Sequence, residues 1–528
     1  MLDLAIVGAG LCGLSLARQW PARLSVALFD ARARPGGRAL TVPCPGTGAA
    51  LDLGPTWFWP ETEPCITALL AELGLPTLAQ HDSGSVLHLT DPNRAADDIP
   101  LAGVHGGARR IEGGAGRLVQ ALTDALPQGC LHLAHALAAV RDRSDHVELQ
   151  FETADAPFTV MARRVVLALP PRLLAEQVHF TPALPAGLLA VMADTPTWMA
   201  AQAKALTSFS NAFWRERGLS GNAFVEHPQA VLGQVFDAGP AEGAPGVLGG
   251  FICLTPVQRA AMRVGMPLLV GSQLTQLFGR DAADGQLALH DWAQQPWTCS
   301  TRDRLQPADT APPHPDPVLR RPLWGRRLHL GGSETARCGA GHMEGALESA
   351  AQLLRGLLPV SALSTGAGDN SGALQRFSEW VESERAQSIG RYRRLLHRAL
   401  ALQQHEQLTQ RAVLGAAEQL YADALAQLAA LDWVPGGVAS EHGRSALTPA
   451  VLAPFSGFSK SLLDAAVAFN RSSCAMSNFA DEHDPSPELL ATIARDLAAA
   501  WREFALGVNE WLLARTEPAF DTPEENRP

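Results

Sequence analysis

A short apolar run, residues 4–7, leads straight into Gly8-Ala9-Gly10-Leu11-Cys12-Gly13 and then into the helical pattern Leu14, Leu16, Ala17. Such a run before a glycine-rich bend reads as a buried parallel strand entering a helix. Gly8 permits the tight bend, Gly10 lets backbone approach a pyrophosphate, and Gly13 lets the helix pack closely on the strand. The helix N-terminus then offers N–H groups and a positive dipole end to phosphates. A second predicted strand, residues 24–29, ends in Asp30, near the spacing of about 20 residues at which an acid hydrogen-bonds a ribose. Strand, turn, helix, strand and acid in that order make the start of the chain a dinucleotide-binding α/β unit.

The chain has 528 residues, 47% hydrophobic and 18% charged, which fits a soluble protein of two or three domains. A net charge of −11 provides no basic field for nucleic acid. The N-terminus enters a strand with no charged region ahead of it, so no signal peptide is expected. No uncharged apolar run approaches the roughly 20 residues of a bilayer span, so no membrane partner is expected. Cys12, Cys44, Cys65, Cys130, Cys253, Cys299, Cys338 and Cys474 show no CxxC or other metal-ligand spacing. They read as free thiols in a reducing cytoplasm.

Beyond Asp30 comes Ala31-Arg32-Ala-Arg-Pro-Gly36-Gly37-Arg38. Two glycines followed by arginine beside the ribose acid read as a second phosphate grip, since guanidinium pairs with phosphate oxygens in a fork. The stretch Leu51-Asp-Leu-Gly54-Pro55-Thr56-Trp57-Phe-Trp-Pro60 reads as a strand end opening into an aromatic turn. It is either a surface turn over core aromatics or backbone lying against a flat ring system.

Together, Asp30-Ala31-Arg32, Gly36-Gly37-Arg38 and Asp52-Leu-Gly54 resemble the FAD site of the flavin-containing amine oxidase family, the monoamine oxidase-like group. Further motifs follow in family order: Glu112-Gly113-Gly114 with Leu118 and Leu122; residues 165–170 with Phe180, Pro182 and Pro185; Lys204 with Phe209, Phe213, Trp214 and Arg215; and Gly331-Gly332-Ser-Glu334-Thr335 with Gly341-His342-Met343-Glu-Gly345. The resemblance covers residues 1 to about 358. It implies that Glu334 reaches the ribityl or pyrophosphate side and that the backbone of Leu137 meets the adenine. It also implies that the helix starting near Met343 presents its N-terminus to the flavin, whose reduced pyrimidine edge is negative.

Lys204 is the implied catalytic residue, the family lysine that holds a water against the flavin. Without the resemblance, a lysine in the apolar stretch 198–206 reads as a snorkelling surface residue. Two departures stand out. The register places Thr301 where monoamine oxidases carry the flavin-linking cysteine, with Cys299 two residues early, so non-covalent FAD is expected. The family's two flavin-flanking tyrosines are also missing: one position is His342, the other falls near Arg302, and the only tyrosines are Tyr392 and Tyr421. Trp57, Trp297 and His342 are the candidates for a different pocket wall, with His342 able to carry a proton at neutral pH.

Past residue 360 the resemblance ends. Residues 361–372 read as a small-residue linker, and 373–528 as an all-helical domain with apolar positions at helical spacing. Its last helix starts at Ser486-Pro487-Glu488 and runs towards Arg515. The stretches Asn470–Cys474 and Asp481–Asp484 read as solvated loop in preference to ligands. The expected architecture is α/β: a discontinuous Rossmann-like FAD-binding domain (1–60, 111–170, 300–358) interleaved with an α+β substrate domain (61–110, 171–299), then the helices. The implied activity is FAD-dependent oxidation of a C–N bond in an amine or amino-acid-like substrate, with imine hydrolysis and dioxygen reduced to peroxide. The alternative is a desaturase or other non-amine flavoenzyme of the same fold. In either case the helical domain could serve a partner or a homo-oligomer.

Overall fold

The N-terminal apolar run forms strand β1 (Leu2–Val7), in which Leu4, Ala5 and Ile6 are fully buried. Helix α1 (Leu11–Gln19) follows, buried from Leu11 through Ala17, and then β2 (Val26–Phe29). β1 lies parallel between β2 and the strand Phe158–Leu167, with Val7 opposite both Phe29 and Leu167. A strand with parallel neighbours on both sides must be apolar on both faces, which is why this run does not alternate.

The computed structural model describes residues 1–101, 103–241, 245–305, 315–358, 370–402, 407–431, 433, 440–441, 444–445, 447–473, 476 and 479–513. It divides into two units, Met1–Leu353 and Leu354–Pro528. The predicted linker lies outside the described residues as far as 369, and its end, from Ser371, is already helix Ser371–Ala401.

The first unit holds two large sheets. The eight-stranded sheet draws its strands from three stretches of chain: Leu2–Phe29, Leu131–Thr181 and Leu328–Leu330. The seven-stranded sheet runs Gln286–Asp291, Ala203–Phe209, Gly246–Ile252, Leu232–Asp237, Leu219–Val225, Ser85–Leu89, Asp97–Ile99. The strand His179–Thr181, expected in the substrate domain, instead pairs with Ala136–Asp142 in the first sheet. The unit is mixed α/β, a Rossmann-like sheet woven with an α+β part.

The second unit is built on the helices Ser371–Ala401, Leu408–Ala430, Phe458–Ser472 and Pro487–Leu513. Its core includes Phe377, Tyr392, Leu420, Phe455 and Phe504, all almost fully buried. The predicted cap at Ser486 is present: its hydroxyl accepts from the Leu489 N–H. The predicted end at Arg515 lies outside the described residues. One expectation is corrected. Asn470 is not in a solvated loop but fully buried within helix Phe458–Ser472, and Glu482 is buried too. Glu482 accepts from the backbone N–H groups of Leu408 and Thr409, the open N-terminal end of the earlier helix Leu408–Ala430. Cys474 lies outside the described residues. Among the described residues no helix is long and apolar enough to cross a membrane.

Candidate functional site

The glycine turn opens the site. At Gly8 a Cβ would lie 2.3 Å from the Ala168 carbonyl oxygen, and at Gly13 it would lie 2.0 Å from that of Gly8. Both positions are closed to any side chain, as the tight turn and helix packing require. Gly10 is different: a Cβ there meets nothing within 4 Å. Gly10 therefore borders open space, and it caps α1 with no side-chain hydrogen bond and no acid in the first turn. This is an N-terminus left open to an anion.

Asp30 sits 4% exposed beside that turn. Its two oxygens accept from the backbone N–H groups of Ala9 and Arg32, each at 2.8 Å, and each keeps a lone pair. Ala31 and Arg32 turn the chain there, and the Arg32 guanidinium reaches the Thr298 hydroxyl. The Gly36 N–H donates to the Ala9 carbonyl at 2.8 Å, folding the Gly36-Gly37 loop onto the glycine turn. Leu137 is 8% exposed on the strand Ala136–Asp142, and the neighbouring His135 N–H donates to the Asp30 carbonyl. Asp30 and Leu137 are thus brought to one end of the first sheet.

The C-terminal glycine motif meets the same place. The Gly332 N–H donates to the Ser349 hydroxyl, which also lies 3.8 Å from the Cys12 thiol. Gly332, at φ +113°, has only open space where a Cβ would stand until 3.9 Å. Arg38 spans the gap. Its guanidinium pairs with both Glu334 oxygens (2.7 and 2.8 Å) and donates to the Trp198 carbonyl at 3.0 Å. The fork expected for phosphate is therefore engaged by Glu334, itself 1% exposed. Met343 opens the helix Met343–Leu357, as expected. The next residue, Glu344, accepts from the Cys65 and Ile66 N–H groups at 3.0 and 2.9 Å, capping helix Pro64–Glu72. Burial pushes its carboxyl up to about 7, against the pull of those N–H groups.

Lys204 is 2% exposed on the strand Ala203–Phe209. The snorkelling alternative is excluded. Its Nζ donates to the Gly54 carbonyl at 2.8 Å and to the Thr56 hydroxyl, both in the glycine–aromatic turn whose Pro55 joins them. The Phe236 and Phe251 rings lie 5.5 and 5.7 Å from Nζ. Burial lowers its pKa to about 7, with Asp52 opposing that and Arg110 adding to it. A neutral amine at physiological pH is a proton acceptor and a water ligand, not a fixed cation.

Trp57 joins the same wall. Its ring stacks on His105 at 4.5 Å and meets Phe236 edge-on at 4.6 Å, while its Nε1 donates to Gln80. His105 is held in turn by Asp82, which accepts from its backbone N–H and lies 3.0 Å from its Nδ1. Gln80, Asp82 and His105 also line a cavity of about 480 Å³ with Glu61 and Arg109. His342 is brought to Trp198 instead, edge-on at 6.2 Å. Trp297 joins neither group: it is 36% exposed. Arg302 is a surface residue paired with Asp194. Cys299 is 1% exposed, its thiol pushed up to about 11 by burial, and Thr301 binds Glu176 at the surface.

Residues 94–352 match the family described as flavin containing amine oxidoreductase, and residues 6–73 match the NAD(P)-binding Rossmann-like domain. The matched stretch, residues 94–352, belongs to the flavin-containing amine oxidase family. A Mycobacterium tuberculosis protein named as a flavin-containing monoamine oxidase is 24% identical, covering 66% of this chain and 94% of its own. Bovine flavin-containing amine oxidase A is 26% identical over 43% of this chain and 41% of its own. Among solved structures, a cofactor-binding redesign of putrescine oxidase matches with a TM-score of 0.55 at 21% identity, covering 67% of this chain and 98% of that one. Cyclohexylamine oxidase from Brevibacterium oxydans matches at 0.53 and 18%, covering the same shares. These likenesses show the fold. The amine oxidase is an FAD-dependent oxidoreductase, and the glycines open to space at Gly10 and Gly332, with Asp30 and the uncapped α1 between them, fit that cofactor.

Four residues of the oxidase's wall escaped the sequence reading: Trp198, His105, Phe236 and Phe251. Trp198 lay in the same apolar stretch as Lys204. Phe251 reaches Lys204 only because the two are antiparallel partners across strands.

Proposed function

We propose that this oxidase removes a hydride from the α-carbon and a proton from the nitrogen of a neutral amine or amino-acid-like substrate beside Lys204, leaving an imine. The observation that carries this is the buried Lys204, held by Gly54 and Thr56 under the Phe236 and Phe251 rings. FAD bound there would supply the hydride acceptor and the route by which dioxygen is reduced to peroxide. Gly8, Ala9, Gly10, Leu11, Cys12 and Gly13 cradle its pyrophosphate, with Asp30 on the ribose and Leu137 at the adenine. Arg38, Gly332, Glu334 and Met343 shape the remaining length of the groove. The cofactor is held without a covalent bond, because Cys299 is buried with a thiol pushed up to about 11 and so stays protonated at neutral pH.

Lys204 holds the water that hydrolyses the imine, and its low pKa leaves it free to take the proton that step releases. Trp57, Phe236 and Phe251 exclude bulk water and give the substrate an apolar wall, which favours the neutral amine over its ammonium form. His342 with Trp198 forms a second aromatic corner in place of a paired-tyrosine cage. Anaerobic titration with amines, polyamines and amino acids tests the reading. Bleaching of the flavin band by one class, lost in Lys204→Met, supports it. The absence of that cage in the first unit favours a second reading, a desaturase or mutase, and a yellow protein that no amine bleaches would decide for it.

A further inference from the structure

The helices Pro256–Ala261 and Met266–Phe278 form a helix–turn–helix on the first unit. Its inner side is fully engaged. Arg259 is 3% exposed and pairs with Asp291, while Met266, Val270, Leu274 and Leu277 enter the core under the seven-stranded sheet. Its outer side carries Val257, Met262, Val264 and Leu268, exposed by 77%, 42%, 92% and 76%. Single exposed aliphatics are ordinary, but four within the stretch 257–268 of one helix–turn–helix mark a surface that meets something apolar.

The charge around this tip departs from the rest of the molecule. The chain carries 53 Asp and Glu and a net charge of −11, yet the stretch 243–280 contains no acid at all. Exposed Arg263 stands between Met262 and Val264. Aliphatic side chains around one cation, free of carboxylates, complement a surface that is apolar beneath an anionic layer. A second copy of this chain is a poorer occupant: a two-fold contact would bring two Arg263 cations into one interface, and the stretch 243–280 has no acid to pair with them.

We infer that this tip docks the protein on an anionic lipid surface, with Val257, Met262, Val264 and Leu268 entering the acyl boundary and Arg263 meeting lipid phosphate. The attachment is peripheral. A few aliphatics assisted by one cation give reversible binding that weakens with salt.

Flotation of the full-length flavin-loaded protein with vesicles tests the inference. The protein is expected to float with vesicles of phosphatidylglycerol and phosphatidylcholine and to stay behind with phosphatidylcholine alone. Val264→Asp with Leu268→Asp should cut the floated fraction by about tenfold, and Arg263→Glu should cut it on the anionic vesicles. Both side chains of the double variant are outside the core, so its oxidation of amine without vesicles should match the parent. Failure of the parent to float overturns the inference, as does equal flotation of the double variant. A parent dimer that Val264→Asp splits, with no flotation, overturns it in favour of a second copy.

Discussion

Arg38 and Glu334 lie 296 residues apart in the chain and form an ion pair whose guanidinium contacts both carboxylate oxygens. The pair joins the loop after Asp30 to the C-terminal glycine motif, the two edges of the proposed cofactor groove. Glu334 is 1% exposed, so Arg38→Met leaves a buried carboxylate without its partner, a loss of about 3 kcal/mol. The variant should melt earlier and lose flavin on gel filtration. Arg38→Lys keeps the charge but not the fork and should fall between the two. Retention of full flavin by Arg38→Met would show that the groove edges are held by something else.

Lys204→Met removes a group that burial already disfavours in its charged form, so the fold should survive. Turnover should fall about 100-fold with the flavin spectrum retained. The pH profile carries the sharper expectation. Because burial lowers Lys204 to about 7, the neutral form gains population as pH rises through that value. The parent's kcat should therefore rise with pH and level off above about 7, and this limb should vanish in Lys204→Met. Stopped-flow reduction and steady-state turnover across the pH range measure it.

What was legible in the sequence follows from physical range. The glycine turn, α1, β2 and Asp30 are neighbours in the chain, and Gly13 meets Gly8 within the motif and Leu28 in the next strand, so spacing alone located them, although Gly8 also closes on the distant Ala168. Ser486 capping its own helix is equally local. The wall around Lys204 is not. Phe251 comes from an adjacent strand, and His105 reaches Trp57 from a separate loop, contacts set by sheet register and loop closure. Trp297, expected at the pocket wall, is instead 36% exposed, since side-chain type says nothing about which ring faces which. Asn470 looked like loop because its polarity is visible in the sequence while its partners Tyr392 and Thr409 are not.

His105 stacks on Trp57 and meets Phe236 edge-on at 6.4 Å, with Asp82 holding its Nδ1 side, and the two act as positioning residues for the proposed substrate wall. His105→Phe keeps an aromatic ring against Trp57 but loses the Asp82 contact, whereas His105→Ala loses both. The stacking is worth about 1 kcal/mol. His105→Ala should therefore raise KM roughly fivefold with kcat nearly unchanged, and His105→Phe should recover most of it. A fall in kcat with KM unchanged would place His105 in the chemistry instead.

Glu344 gives the molecule a stability term that depends on pH. Burial raises its carboxyl from 4.5 to about 7 in the folded chain, so the folded form holds the proton more tightly than the unfolded one. The stability this adds is complete below about 4.5 and is lost as pH rises through about 7. Glu344→Gln cannot ionise. Its stability relative to the parent should improve between those two pH values and stay constant above them. Denaturant unfolding of the two proteins at several pH values reads the difference, and parallel curves would show that Glu344 does not titrate in this range.

Asn470 knots three segments of the helical unit. Its carbonyl oxygen accepts from the Tyr392 hydroxyl at 2.6 Å, and its amide donates to the Thr409 hydroxyl at 2.7 Å and the Glu482 carbonyl at 3.0 Å. The residue is fully buried, and Tyr392 is too. Asn470→Ala removes all three hydrogen bonds in a buried site, a cost of about 2–4 kcal/mol. Asn470→Asp keeps the acceptor for Tyr392 but sets a buried charge beside Glu482 and should be as damaging. Because the cofactor motifs all lie in the first unit, both variants should lower the unfolding temperature of the helical unit while flavin content stays at the parent level. Calorimetry with flavin absorbance recorded on the same samples separates the two effects. Flavin lost in step with the helical transition would mean that the second unit supports the cofactor site.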